Sequence, residues 1–245
     1  MNYPNFLNKH LEEALFHPSD FLKDKKVKGK FPKKYILTYQ EKVKNYFIRK
    51  YKPKKITIYR LLTIYSYKNI GFVKMTVIGS PNAVTVLEEL IALGGKEFLN
   101  IGTAGGLYNE GIFLCEKAIR DEGTSHHYMP HGDFAYPDKE LTEKLGKAIQ
   151  NNNLDFKRGT TWTIDAPYRE TKAEVAKYTK EGVATVEMEA SALFTVAKYR
   201  KVKIASAFVV SDVLGDKWSP KFHKFDVRRA QNKLIDSALV CFSEK

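Results

Sequence analysis

Three carboxylates in the second half of the chain stand where a ligand-binding cleft could use them. Glu187 and Glu189 precede an apolar run with helical spacing, and Asp212 ends a short apolar run, residues 204–211, typical of a buried parallel strand. Ligands of open α/β sheets lie outside the carboxyl ends of strands, so an acid there is a candidate site residue. Acids also cap helices and loops, and taken singly each of the three fits that structural role better.

A glycine-containing segment near the middle of the chain predicts close contact between backbone and ligand. The pattern predicts a helix over residues 80–93 and a strand over residues 98–101, which leads into Gly-Thr-Ala-Gly-Gly at 102–106. Glycines directly after a strand let backbone N–H groups approach an anion or a sugar. The spacing matches neither a dinucleotide fingerprint nor a P-loop. A further strand is predicted over residues 112–119.

Four ordered motifs together resemble the nucleoside phosphorylase family, which includes purine nucleoside phosphorylase, uridine phosphorylase and the methylthioadenosine nucleosidases. The motifs are residues 102–107, 121–127, 186–190 and 210–212. They occur in the family's order and at similar separations, and the resemblance covers about residues 35–242. It implies an α/β fold in which one mixed, partly closed sheet is flanked by helices, with the active site at strand carboxyl ends.

The resemblance also implies roles for the carboxylates. Cleaving a nucleoside C1′–N bond develops positive charge on the ribose and negative charge on the leaving base, so a site must stabilise both. Glu189 would bind the ribose 2′- and 3′-hydroxyls and Met188 would pack against the sugar. Asp212 would donate a proton to purine N7, which requires an apolar, closed pocket.

Phosphate is the expected co-substrate, but the resemblance is weakest at the family's phosphate-binding positions. Thr103 and Arg60 match phosphate-binding positions, Arg60 being the residue that relatives donate from a neighbouring subunit. Lys42 falls roughly where relatives have an Arg, while the Gly-Asp-Pro loop is missing and Asn100 replaces a second Arg. Lys binds phosphate as a point charge without the guanidinium fork. Phosphorolysis is therefore favoured, and hydrolysis by a nucleosidase stays open because that branch also has Asn at this position.

The base pocket leaves two substrate classes open. Tyr168 follows Pro167, which stands where relatives carry a base-stacking Phe, and Arg169 could approach the edge of a uracil. Asp212 favours a purine and Arg169 keeps uridine open. Packing in the core is the alternative role for aromatic residues in this segment. It is the better interpretation of Trp162, whereas for Tyr168 core packing and base binding are equally well supported. His17 lies where relatives donate a ribose-binding His from the partner subunit, so a catalytic homodimer, alone or in a hexamer, is implied.

Composition agrees with a soluble enzyme, which we expect to be cytoplasmic and to use no cofactor. The 245 residues are 43% hydrophobic, enough for one α/β core, and we find neither an 18-residue apolar run nor a signal peptide. The two cysteines, Cys115 and Cys241, have no metal or redox spacing, and the histidines form no convincing metal site. We expect no metal and no membrane association.

Positive charge is concentrated at the start of the chain. Residues 1–60 hold 16 Lys or Arg residues against 5 Asp or Glu, within a net charge of +13. We therefore divide the chain into a basic N-terminal helix and loop, residues 1–34, and an α/β domain, residues 35–245. A basic arm raises the alternative of a catalytically degenerate protein that binds nucleosides or nucleic acid. Aromatic residues are not interleaved at stacking spacing in residues 23–34, so nucleic-acid binding is the weaker hypothesis.

Overall fold

The computed structural model describes residues 4–6 and 8–243, within which the strands form one sheet. The strands are β1 (Lys34–Thr38), β2 (Lys54–Tyr59), β3 (Leu62–Tyr67), β4 (Ile70–Lys74), β5 (Glu97–Leu107), β6 (Ile112–Asp121), β7 (Phe134–Ala135), β8 (Lys157–Ile164), β9 (Val183–Glu187), β10 (Lys203–Leu214) and β11 (Trp218–Pro220).

Helices connect most of these strands. The α-helices are α1 (Pro18–Asp24), α2 (Glu41–Tyr51), α3 (Ser80–Ala92), α4 (Lys139–Asn151), α5 (Lys172–Lys180), α6 (Ala190–Tyr199) and α7 (Phe225–Ser243). Short 3-10 turns lie at Lys9–Leu11, Ser125–His127 and Pro167–Arg169.

The sheet closes on itself around β5. This strand pairs in parallel with β10 and antiparallel with β9, and the path β10–β6–β8–β9 returns to β5. At residues 97–100, before the part that pairs with β9, β5 also pairs in parallel with β1, from which β4, β3 and β2 continue as an open wing. Parallel and antiparallel pairs are therefore combined in one partly closed sheet, which confirms the expected fold class.

The sheet is covered by helices on both faces because side chains alternate along each strand. On β1, Tyr35 and Leu37 pack into the apolar cluster that includes α3 and α6, while Ile36 packs into the cluster that includes α2, α4 and α7. Two layers of helices thus bury the two faces of one sheet. The helix α6, which begins directly after Glu189, and the pair α2 and α7 lie on opposite faces.

The predicted elements are present, but the two central strands are longer than predicted. The predicted strand over 98–101 runs from 97 to 107 as β5 and includes the glycines that were expected in a loop. Asp212 was expected to end its strand, yet β10 continues to Leu214. Both strands are extended because they pair with each other along residues 97–107 and 203–214, a long-range contact that local patterns do not encode.

The basic N-terminal segment contacts the α/β body. Leu22 of α1 is buried, and the Phe21 ring lies edge-on to Tyr59 with centroids 5.6 Å apart. The division at residues 34 and 35 stays a prediction. Within residues 4–6 and 8–243, no helix combines the length and apolar character needed to cross a bilayer.

Candidate active site

Gly105 of β5 brings the two acidic motifs together. It pairs with Val186 of β9 on one side and with Asp212 of β10 on the other. A Cβ atom at residue 105 would lie 2.5 Å from Leu214 Cδ1 and 3.1 Å from Val186 Cγ1, so a larger residue would require these side chains to move. Glu187, Glu189 and Asp212 therefore belong to one region of the closed sheet.

Glu189 is a buried carboxylate that is held from another part of the chain. The backbone N–H of Gly79 donates to its Oε1 at 2.6 Å. Gly79 has a φ of 103°, a backbone conformation that favours glycine and directs this N–H toward the acid. Burial and the neighbouring Glu187 charge raise the pKa of Glu189. Its side chain makes no capping bond to α6, so the helix-cap alternative does not describe it.

Glu187, by contrast, has the structural role. Its Oε2 accepts from the backbone N–H groups of Glu189 and Ala190, both at 2.8 Å, at the start of α6. Its Oε1 accepts from Thr163 Oγ1 at 2.6 Å. Burial raises the pKa of Glu187. This residue therefore fixes the backbone that carries Glu189.

A third buried acid supports the same backbone. Ser191 Oγ donates to Glu122 Oε1 at 2.9 Å, and the Ser125 N–H donates to Oε2 at 2.9 Å. The Ser191 N–H in turn donates to Thr163 Oγ1 at 3.1 Å. The motif over residues 121–127 is thus connected through Ser191 to the start of α6.

Asp212 lies at an irregularity of the pairing between β10 and β5, which falls between Val210 and Asp212. Ser211 Oγ donates to its Oδ1 and the Trp218 indole N–H donates to its Oδ2, both at 2.8 Å. Only 9% of Asp212 is exposed. Trp218 belongs to β11, which pairs antiparallel with β10.

Glu170 is a further acid that sequence reasoning missed. It follows the 3-10 turn Pro167–Arg169 and is half-buried. Burial, and next the negative charge of Asp212, raise the pKa of Glu170 to about 7. The effect of Asp212 on Glu170 depends on the fold of the closed sheet, which the local sequence does not show.

The two residues after Pro167 that were predicted to bind the base lie at the surface. Tyr168 is fully exposed and Arg169 is exposed, so Tyr168 is not a core residue in this chain. Trp162 is completely buried and its indole N–H donates to Asp121 Oδ2 at 2.8 Å, as the core alternative predicted. Met188 is half-buried, and its carbonyl accepts from Ser80 Oγ at 2.7 Å.

Thr103 and Asn100 on β5 form hydrogen bonds with neutral side chains. Gln40 Nε2 donates to Thr103 Oγ1 at 3.0 Å. The Tyr39 hydroxyl donates to Asn100 Oδ1 at 2.9 Å, and Asn100 Nδ2 donates to Ser206 Oγ at 3.2 Å. Burial of the Tyr39 hydroxyl, followed by the charges of the two site glutamates, raises its pKa. Tyr39 and Gln40, which stand near the position of the relatives' Gly-Asp-Pro loop, therefore form hydrogen bonds with polar side chains of β5.

Three residues that the resemblance assigns to phosphate or ribose binding lie at the surface. Arg60 is exposed in the turn between β2 and β3, and Lys42 is exposed near the start of α2, where it lines a cleft against α7. His17 is exposed, and its backbone N–H donates to Asp20 Oδ2 at 2.9 Å. None has a described hydrogen bond to Glu189, Asp212 or Thr103 within this single chain. Their assignments stay predictions.

No group of three or more His, Cys, Asp or Glu side chains among residues 4–6 and 8–243 has an arrangement that could hold a metal ion.

Comparison with known proteins places this geometry in a family. A model described as the phosphorylase superfamily matches residues 39–240. Purine nucleoside phosphorylase of Plasmodium falciparum (isolate 3D7) is 30% identical over 141 residues, which are 54% of this chain and 57% of that protein. Uridine phosphorylase of Treponema pallidum (strain Nichols) is 31% identical over 153 residues, 56% of this chain and 59% of that protein. These matches extend over less than two thirds of each relative's length.

Solved structures show the same fold over nearly the whole chain. Purine nucleoside phosphorylase from Toxoplasma gondii aligns with a TM-score of 0.76 at 16% identity, covering 95% of this chain and 98% of that one. AMP nucleosidase from Bacteroides thetaiotaomicron aligns with a TM-score of 0.72 at 23% identity, covering 91% and 92%. On the family match, supported by this fold, the chain belongs to the phosphorylase superfamily.

Proposed function

We propose that the protein cleaves the N-glycosidic bond of a ribonucleoside. The observation that carries this proposal is the pairing of Gly105 with both acidic motifs, which gathers a buried glutamate and a buried aspartate in one site. Bond cleavage separates charge, and two acids in different environments can serve the two ends of the breaking bond.

Glu189 serves the sugar end. Its carboxylate accepts from the 2′- and 3′-hydroxyls and faces the positive charge that develops on the ribose. Gly79 occupies one acceptor position at Oε1, and a carboxylate offers about four. Met188, the neighbouring half-buried residue, packs against the sugar.

Asp212 serves the base end as the proton donor, which favours a purine because N7 can receive the proton. Oδ1 of Asp212 lies beside the Ser211 hydroxyl, which can donate or accept, whereas Oδ2 accepts from the Trp218 indole, which can only donate. Uridine stays the second substrate class, with Arg169 and Tyr168 beside its base.

Phosphate is the proposed acceptor of the ribosyl group, so that the products are free base and ribose 1-phosphate. The relatives named above as phosphorylases support this choice. Thr103 supplies a hydroxyl, and Arg60 is supplied by the partner subunit of a homodimer. His17 of the partner would reach the ribose.

Water is the second candidate acceptor, and one observation favours it. The pairs Gln40–Thr103 and Tyr39–Asn100 fill the acceptor side with neutral groups that already bond one another. Phosphate would have to replace the Gln40 bond to reach Thr103, whereas a water molecule needs no cation. A nucleosidase would then be the correct description.

Base release from purine and pyrimidine ribonucleosides, measured with and without phosphate, tests these alternatives. Phosphate-dependent release with formation of ribose 1-phosphate is the expected result. Equal release without phosphate would establish hydrolysis instead. If no ribonucleoside turns over while nucleosides still bind, the protein is a catalytically degenerate binding protein.

A further inference from the structure

A cleft of about 580 Å³ separates α2 from the first half of α7. Both helices cover the sheet face opposite α6, and the cleft shares neither Glu189 nor Asp212 with the candidate active site. Its volume lies within the range of small-molecule sites, roughly 300–1,000 Å³.

The lining of this cleft carries positive charge without compensation. It includes five cationic side chains and no carboxylate; they are Lys42, Arg49, Arg228, Arg229 and Lys233. Among the described residues, none of the five has a carboxylate within 4.0 Å. Lys50, one residue beyond Arg49, does have such a partner, because its Nζ lies 2.7 Å from Asp236 Oδ2.

Uncompensated cations in a cleft attract an anion from solution. Low-dielectric walls focus the field of charges that line a cleft, and three of the five are arginines, whose planar forks bind phosphate oxygens in pairs. The cleft also follows the first half of α7, whose N-terminal end is favourable for an anion. The chemistry therefore selects a phosphate ester.

The remaining lining indicates what the phosphate is attached to. Phe225 is 66% exposed at the start of α7, and the Arg228 guanidinium lies 5.9 Å from its ring centroid. An exposed ring beside an arginine is a surface on which a flat heterocycle can stack. The amides of Asn45, Gln231 and Asn232 line the same cleft and supply donors and acceptors for a base edge.

We propose that this cleft is a nucleotide-binding site, with the arginines on the phosphates and Phe225 against the base. Lys42 belongs to it: the residue that sequence reasoning assigned to phosphate lines this cleft. The proposal does not depend on the reaction at Glu189, because its residues lie outside that site.

Binding of adenosine diphosphate and of inorganic phosphate, measured by calorimetry on the full chain, tests the proposal. The double variant Arg49→Glu with Arg228→Glu should weaken binding of both probes at least about tenfold, because charge-assisted bonds are lost. Lys55→Glu, an exposed charge reversal on β2 outside the cleft, is the matched control and should leave binding unchanged. Base release from a nucleoside should be unaffected in all of these variants.

Phe225→Ala separates a nucleotide site from a bare anion site. We expect it to weaken adenosine diphosphate binding and to leave inorganic phosphate binding unchanged. Equal effects on the two probes would overturn base recognition. Adenosine diphosphate binding that survives the double variant would place that ligand elsewhere, and much tighter, steeply salt-dependent binding of polyuridylate would identify a nucleic-acid surface instead.

Discussion

Glu187 and Glu189 are two residues apart and have different roles because they receive different donors. Three donors converge on Glu187, two of them from the backbone at the start of α6. Gly79 donates to Glu189 at one oxygen, which leaves acceptor capacity on this carboxylate. The structural alternative is therefore right for Glu187 and fails for Glu189.

The first prediction concerns Glu189 and pH. Burial and Glu187 raise the pKa of Glu189, so it is protonated at low pH and becomes a carboxylate as pH rises through that raised value. Only the carboxylate can accept from both ribose hydroxyls without also donating. The acid limb of the pH profile of kcat/KM should therefore have its midpoint above the ordinary pKa of a glutamate, about 4.3.

Glu189→Gln is the variant that checks this assignment. The amide oxygen can still accept from Gly79, so the fold should persist, while most activity and the acid-side rise of kcat/KM should disappear. A thermal unfolding curve serves as the control for folding. Near-normal rates in this variant would remove Glu189 from the site.

The second prediction separates purine from uridine chemistry. With a purine substrate, Asp212→Asn should lower the rate by about 10²–10⁴-fold, because a general acid is lost. The loss should be smaller for a nucleoside whose base leaves easily without a proton. With uridine, Arg169→Ala should be the more damaging change. Small, equal losses on every substrate would contradict both roles and direct attention to Tyr168 and Trp218.

The residues that sequence reasoning found and missed differ in how far away their partners are. Glu189 and Asp212 stand in local motifs, so the sequence alone could name them as candidate site residues. The Gln40 bond to Thr103 and the Tyr39 bond to Asn100 join positions about 60 residues apart, so no local pattern shows them. Trp218 is only six residues from Asp212, but its bond depends on the turn between β10 and β11.

At the scale of elements, β5 shows why glycines can lie within a strand. Local propensity places Gly105 and Gly106 in a loop, and a central strand is a poor place for glycine. The neighbours reverse this preference, because a Cβ atom at residue 106 would lie 2.0 Å from the Asn109 carbonyl oxygen. Element types could thus be predicted, while strand ends set by long-range pairing could not.

The third prediction follows from this close approach. Gly106→Ala should lower the free energy of unfolding by about 3 kcal/mol or more, because a backbone carbonyl cannot move aside as a flexible side chain can. Gly132→Ala is the matched control, since its nearest neighbour would be Arg120 Nη1 at 3.5 Å, an ordinary contact. Denaturant unfolding of both variants measures the difference. Equal stability would show that the turn after β5 adjusts freely.

At the scale of the whole molecule, charge and apolar surface are both unevenly distributed. The candidate active site gathers acids, whereas five cations line the cleft between α2 and α7. Leu61, Val77 and Ile78 are each at least half exposed and stand beside Arg60 and Gly79 in the sequence. If the chain forms a homodimer, these exposed apolar groups next to the residue that holds Glu189 are candidates for its interface.

The fourth prediction tests whether the partner completes the site. If Arg60 acts across a two-fold interface, each site combines Arg60 of one subunit with Glu189 of the other. Arg60→Ala and Glu189→Gln should each be weakly active alone. In a mixed dimer one site then has both mutations and the other has neither.

Co-expression of the two single variants therefore provides the measurement. Random pairing makes half of the dimers mixed, each with one intact site, so phosphate-dependent activity should recover to about a quarter of that of the unmutated protein. The double variant Arg60→Ala with Glu189→Gln, co-expressed with either single variant, is the control, because no intact site can form. Activity that stays at the level of the single variants would place Arg60 on the same chain as its Glu189, or outside the site, and the exposed surface beside Gly79 would then need another explanation.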